Sequence, residues 1–201
     1  MKSLPVRIVK HRLALLVFPL IAVALSARAT TVIPPDFDHL VSRAQVIFEG
    51  DVTAVQSQWI GEGAEHRIVT FVTFKVDDTL KGDAGASYTI RMLGGTVDGR
   101  TMSVTDAPKF QAGDHDLLFV ENNGSQFIPL VGIQHGRFRI QKDQSGSDLL
   151  MTGADQPLTD VSQLGADERK VATNRRALSL RDFKSLVQTR VLQQKAGANT
   201  P

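Results

Sequence analysis

The sequence predicts a mainly β domain, a curled antiparallel barrel or a sandwich, framed by a short helix near its N-terminus and an amphipathic helix at its C-terminus. Three observations predict it. Between residues 46 and 140 apolar residues recur with period two in short runs, the pattern of half-buried strands. Asp98-Gly99 and Asn122-Asn123-Gly124 place hairpin chemistry between β-prone flanks. Helical spacing of apolar residues shows after Asp36 and again after Ser179.

Residues 1–29 have the three parts of a secretory signal peptide. Lys2, Arg7, Lys10 and Arg12 precede an apolar run from Leu13 to Leu25, broken at Pro19, and Ala27 and Ala29 form an A-x-A cleavage site. The run has 13 residues, whereas a spanning helix needs roughly 20. Cleavage after Ala29 is therefore expected, with no stable membrane insertion afterwards and a periplasmic or extracellular destination. Cleavage also changes the charge. The whole chain is +2 with a pI near 9.0, but residues 1–29 carry five basic residues and no acid, which leaves 18 basic against 21 acidic residues in the mature chain. The basic pI thus belongs mostly to the signal and gives no reason to expect a nucleic-acid partner. Residues 30–166 hold 10 basic and 18 acidic residues, and residues 167–201 hold 8 and 3. The basic tail is expected to fold back on its acidic body. There is no cysteine, so the fold must rest on its core, and a thiol nucleophile, thiolate metal ligands and a lipoprotein anchor are excluded.

The mature chain divides into a β-barrel domain over 30–142, an irregular linker over 143–177 and a packed helix over 178–195. Asp36 opens a short helix with Phe37, Leu40 and Val41 on one side, ending near Arg43. Val46, Phe48, Gly50, Val52 and Ala54 form the inward face of a strand, with Gly50 marking a bend or bulge. Gln58 to Glu65 reads as a loop. Ile68, Thr70, Val72, Phe74 and Val76 line one face of the strongest strand, whose other face starts apolar with Val69 and Phe71. Lys81-Gly82-Asp83 is a turn. Tyr88, Ile90 and Met92 alternate into Gly94-Gly95, and a hairpin turns at Asp98-Gly99. Leu117 to Val120 is a buried strand. The Asn122-Asn123-Gly124 turn leads to a strand over Phe127–Ile133. Phe138 and Ile140 then alternate with outward Arg137 and Arg139. Within the linker, Leu149 to Met151 reads as a short strand. Ser179 and Asp182 have capping-box spacing ahead of the stripe Leu180, Phe183, Leu186, Val187 and Val191.

Catalytic signatures are lacking: no H-E-x-x-H, G-x-S-x-G, P-loop or dinucleotide fingerprint occurs. The glycine-rich stretch Gly94–Gly99 lies between strands and opens no helix, so it reads as turn chemistry. His39, His66, His115 and His135 are not spaced as metal ligands. In Asp114-His115-Asp116 the two carboxylates share one strand face and His115 the other, so one strand cannot wrap an ion with all three. A Ser/His/Asp triad stays open, since triads assemble from distant positions. Trp59 is either a partner anchor or a cap on the barrel end.

The segments HLVSRAQVIFEGDVTAV, VTFKVDDTLKGD and FQAGDHDLLFVEN resemble an uncharacterised family of exported bacterial proteins. More distantly, over residues 38–140, they are similar to the five-stranded barrel of netrin-like modules and tissue inhibitors of metalloproteinases. That resemblance implies an OB-like barrel and a binding role. It does not carry the inhibitory mechanism across, because those inhibitors use an N-terminal cysteine, whereas the mature N-terminus here is Thr30. The expected function is therefore an exported binding module that contacts another envelope or extracellular protein, a protease being conceivable. Trp59, Asp98, Arg100, His115 and His135 are the candidate contacts, with no catalytic residue, cofactor or metal assigned. The alternatives are a small envelope hydrolase using His115, Asp116 and His135, or a structural envelope component tethered by its basic end.

Overall fold

The computed structural model describes residues 34–165 and 177–198. The expected signal peptide, with Ala27 and Ala29, lies outside the described residues, as do residues 166–176 of the expected linker. The described chain is mainly β. Helix α1 (Phe37–Arg43) is followed by strands β1 (Val46–Ile60), β2 (Arg67–Lys81), β3 (Ser87–Leu93), β4 (Gly95–Val97), β5 (Arg100–Met102), β6 (His115–Val120), β7 (Arg137–Lys142) and β8 (Asp148–Met151), then helix α2 (Leu180–Ala198). Six strands make one antiparallel sheet in the order β3-β2-β1-β6-β7-β8, and β4-β5 is a separate ribbon. No helix of the described residues is long and apolar enough to cross a membrane.

Local chemistry sets the helix ends. The Asp36 carboxylate accepts from the His39 backbone N–H at 2.7 Å, and Lys81 donates to the Val41 and Ser42 carbonyls at 2.6 and 3.2 Å, supplying a cation at the C-terminus of α1. At α2 the Ser179 hydroxyl accepts from the Asp182 N–H at 3.1 Å and donates to the Asp182 carboxylate at 2.7 Å. The capping pair forms, but the carboxylate bonds the hydroxyl, because aspartate is one methylene shorter than the usual glutamate.

The sheet has a core on each face. Ile47 and Phe48 are adjacent and both fully buried, since successive strand residues point to opposite sides. Ile47 joins Leu40, Leu117, Phe119, Phe138 and the helices. Phe48 joins Val52, Phe74, Ile90, Phe110 and Leu118 on the other side. Leu180, Phe183, Val187 and Val191 of α2 are buried, each contributing roughly 1.5–3 kcal/mol as an upper bound. Leu186, expected in that stripe, is 40% exposed. At about 100° per residue it lies about 100° away from the centre of the other four.

Three further readings change. The loop expected over 58–65 shrinks, because β1 stays paired to its end: Gln58 faces Val69, Trp59 faces Ile68 and Ile60 faces Arg67. The strand expected over Phe127–Ile133 does not form. Pro129 has no N–H to give a ladder, and Gly132 and Ile133 both take positive φ, 64° and 62°. This segment still ties two strands together. Phe127 accepts from Leu93 of β3, Asn123 bonds the Arg91 N–H and the Thr89 carbonyl, and Leu130 bridges Val120 of β6. Arg137, expected to face outward, is buried at 4% exposure. Gly50 behaves as expected: the β1–β2 register shifts beside it, and a Cβ there would strike the Lys75 carbonyl. Among the described residues no ladder joins β3 to β8.

Candidate functional site

The chain leaves β3 through Gly94 and Gly95, with φ of 101° and 136°. Asp98 (φ 50°) and Gly99 (φ 73°) then close the β4–β5 hairpin, both positive as a type I′ turn requires. The hairpin lies against β1 and β2. Its root is locked by hydroxyls: Thr70 Oγ1 donates to the Gly94 carbonyl at 2.6 Å and lies 2.8 Å from Ser57 Oγ. A Cβ on Gly95 would run into both hydroxyls.

Between the hairpin and the sheet is a cleft of about 480 Å³, walled by Val55, Val72, Met92, Val104 and Phe110, with Ser57 and Thr70 at its floor. The floor hydroxyls are already engaged with each other and with Gly94, so the cleft offers mainly apolar contact. Phe110 is braced from behind. The Arg137 guanidinium lies 4.1 Å from its ring centroid. Arg137 also bonds Asp116 through Nε and Nη2 (both 2.9 Å), Asp114 through Nη2 (2.8 Å) and the Lys109 carbonyl through Nη1 (2.6 Å). Burial pushes the Asp116 carboxyl above its usual range, and the two-pronged bond to Arg137 acts against that shift.

The opposite face carries a polar cluster. On β1, Glu49 and Asp51 continue the row begun by Ile47, and His115 of β6 lies directly across from Asp51. On β2, Glu49 pairs with Asp78 and Gly50 with Val76, so Asp77 is the extra residue of a bulge. Bulges re-aim side chains, and here Asp77 and Asp78 both reach this cluster. His115 Nε2 lies 3.2 Å from Glu49 Oε1 and 3.9 Å from Asp77 Oδ2. Lys184 of α2 reaches Glu49 and Asp78, each at 2.5 Å, and Lys75 reaches Asp77 at 3.0 Å. The Glu49 carboxylate beside His115 raises the imidazole pKa against the pull of burial. His115 and Lys184 in turn hold Glu49 below the usual carboxylate range against its own burial. Burial lowers Lys184, but Asp78 and Glu49 outweigh it and leave it raised. One ligand atom each from Asp51, Asp77 and His115 lie within 4.8 Å of one another.

The five residues singled out in the sequence do not converge. Asp98 and Arg100 are exposed at the hairpin tip. Trp59 is half-buried at the far end of β1, stacked on His66 with ring centroids 4.3 Å apart. His115 belongs to the cluster on the other face, and His135 sits half-buried in the 3-10 turn Ile133–Gly136. His115 and Asp116 point to opposite faces, so the histidine–carboxylate pairing imagined for a hydrolase does not form between them. Sequence reasoning missed Ser57, Thr70, Glu49, Asp51, Asp77 and Lys184. Their proximity comes from cross-strand register and a bulge, which leave no local spacing signal. No family model, curated protein or solved structure matches this chain.

Proposed function

We propose that the chain is an exported binding module whose cleft under the β4–β5 hairpin takes an apolar side chain of another exported protein. The observation that carries this reading is the cleft itself. It is apolar, it falls in the size range of ligand sites, and its walls are held by the Ser57–Thr70–Gly94 lock and the buried Arg137 brace. Strand addition at β3 is a weaker alternative, because Asn123 and Phe127 already occupy polar groups on that edge. The OB-like, netrin-like architecture belongs to the same proposal. Its support is the 121–131 segment, which hydrogen-bonds to β3 and to β6 and thereby links strands that are not neighbours in the sheet.

The test is site-specific photocrosslinking in the native host. A photoreactive residue at Thr101, on the cleft rim, should give one discrete protein adduct. The same probe at exposed Gln141 should not, and Val55→Glu should abolish the Thr101 adduct. Identical adducts from both positions, or an adduct indifferent to Val55→Glu, would reject the cleft as the contact. Export is checked by sequencing the purified protein. Thr30 at the N-terminus agrees with it, and an intact Met1 in the cytosol does not.

A further inference from the structure

We propose that the partner reaches the cleft on an extended segment that adds as a new strand to the open edge of β1, along residues 54–60, and that this segment is uncharged and apolar at alternate positions. The inference rests on the cleft reading above and names the form in which the apolar side chain arrives.

The edge is open because its neighbour stops short. β6 pairs with β1 only as far as Asp51. The turn before β6 adds one last exchange: the Val52 N–H donates to the Asp114 carbonyl and the Gly113 N–H to the Val52 carbonyl, each at 2.8 Å. β1 continues to Ile60, paired on its other side with β2. Among the described residues, the backbone of residues 54–60 finds no hydrogen-bond partner on the side away from β2. The β4–β5 hairpin lies against β1 and β2 without a ladder to either. Register identifies the free groups. The Ile68 carbonyl accepts from the Gly94 N–H, away from β1, so Trp59 opposite it turns its own N–H and C=O away from β2. Ser57 and Val55 repeat this at every second residue. The side chains of Val55 and Ser57 also line the cleft, so the row of free donors and acceptors runs along the cleft's lip.

Chemistry decides what covers this edge. Natural strand edges are blunted by charge, proline or a bulge. Residues 52–60 hold no charged residue and no proline, and the register runs without a shift from Ala54 to Ile60. The sheet's other edges are protected. Asn123 and Phe127 bond β3, Leu178 and Leu158 bond Leu150 of β8, and the part of β2 beyond β3 carries Asp77, Asp78 and Lys81. Residues 54–60 match the length of an ordinary strand, about 5–6 residues. In strand addition the backbone supplies affinity and alternate side chains supply specificity. Residues of the added strand opposite Val55 and Ser57 place their side chains on the cleft face, where the walls are apolar. A second copy fits less well. On that face its own edge would bring only Val55, Ser57 and Trp59, which already line its own cleft or stack on His66.

The test uses the whole mature chain and short peptides selected on it from a displayed random library. Selected peptides should be uncharged, free of proline and apolar at alternate positions. A bound peptide should slow amide hydrogen exchange at Val55, Ser57 and Trp59, while Gln56 and Gln58, which face β2, change little. N-methylation of alternate peptide residues should weaken binding about tenfold or more in one set and little in the other, because only one set turns its N–H to β1. Val104→Glu, which charges the cleft wall outside β1, should weaken the same peptide. A peptide that is sensitive to Val104→Glu but leaves those three amides unprotected, or equal losses from both N-methylated sets, would overturn strand addition and leave the cleft standing. Protection of the three amides that is indifferent to Val104→Glu would retain the strand and reject the cleft. A library that yields no binder, or a wild-type chain that dimerises with the same amides protected, would also overturn the proposal.

Discussion

His115 and Asp116 are consecutive residues of one strand and serve opposite faces of the sheet: the imidazole lies among Glu49, Asp51 and Asp77, while the carboxylate is locked to Arg137 beneath the cleft. The alternation of a strand therefore partitions one acidic tripeptide between two unrelated tasks. Asp114 goes with Asp116, also bonded to Arg137.

The Arg137 side of this partition predicts a large and asymmetric stability effect. Asp116 is fully buried, and Arg137 is 4% exposed. Arg137→Met strands a buried carboxylate without its partner, which costs about 3–5 kcal/mol, whereas replacing both members with apolar residues is often neutral. Urea unfolding should thus show Arg137→Met strongly destabilised and Arg137→Met/Asp116→Leu largely recovered. Equal losses in the single and double variants would mean that the pair is not what positions the Lys109–Phe110 wall.

Acid should loosen α2 through Glu49. The folded-state pKa of Glu49 is lowered by His115 and Lys184. A carboxyl lowered on folding contributes stability that is present above its unfolded pKa, near 4.5, and that is lost as pH falls through the lower folded value. Melting temperature should fall over that acid window in the wild type. Glu49→Gln, which has no charge to lose, should flatten that part of the profile. An unchanged acid limb in Glu49→Gln would assign it to other carboxylates.

The hairpin root predicts a graded response to added methyl groups. Gly95 has φ 136° and would drive a Cβ into Ser57 and Thr70, whereas a Cβ on Gly99 (φ 73°) meets nothing within 4 Å. Gly99→Ala pays only for backbone strain, on the order of 1 kcal/mol. Gly95→Ala pays for strain and collision together, so it should be the more destabilised in urea and should also lose the Thr101 crosslink. Adding Ser57→Gly to Gly95→Ala relieves part of the collision but none of the strain, so recovery should be partial.

Much of this fold is legible in the sequence where chemistry is local. Asp36, Ser179–Asp182 and Asp98-Gly99 act through the few residues beside them; Asp36 and Asp98-Gly99 do in the structure what their spacing suggests, and Ser179–Asp182 forms the cap with its carboxylate on the hydroxyl. Readings fail where distant chain decides. The polar stretch Gln56–Gln58 hides a strand because β2 supplies its hydrogen bonds. Arg137 looks like an outward residue of an alternating strand, and two aspartates some twenty positions earlier make it a core residue. The Asp51–Asp77–His115 group is the extreme case. Its members come from three strands, and one of them arrives through a bulge that pattern reading cannot place.

Helix α2 offers the sharpest contrast between two apolar residues three positions apart. Phe183 is fully buried, with ring centroids 5.1 Å from Phe138, 5.8 Å from Phe37 and 6.2 Å from Phe119, so it joins both helices to the sheet. Phe183→Ala removes a ring that cannot be replaced by collapse of three other rigid rings, and it should cost about 3–5 kcal/mol. Leu186 is 40% exposed, and Leu186→Ala should stay within about 0.5 kcal/mol of the wild type. Chemical denaturation followed by far-UV circular dichroism measures both. A Phe183→Ala variant as stable as Leu186→Ala would show that α2 is held by its Lys184 and Arg190 ion pairs, to Glu49, Asp78 and Asp38, and not by its apolar stripe.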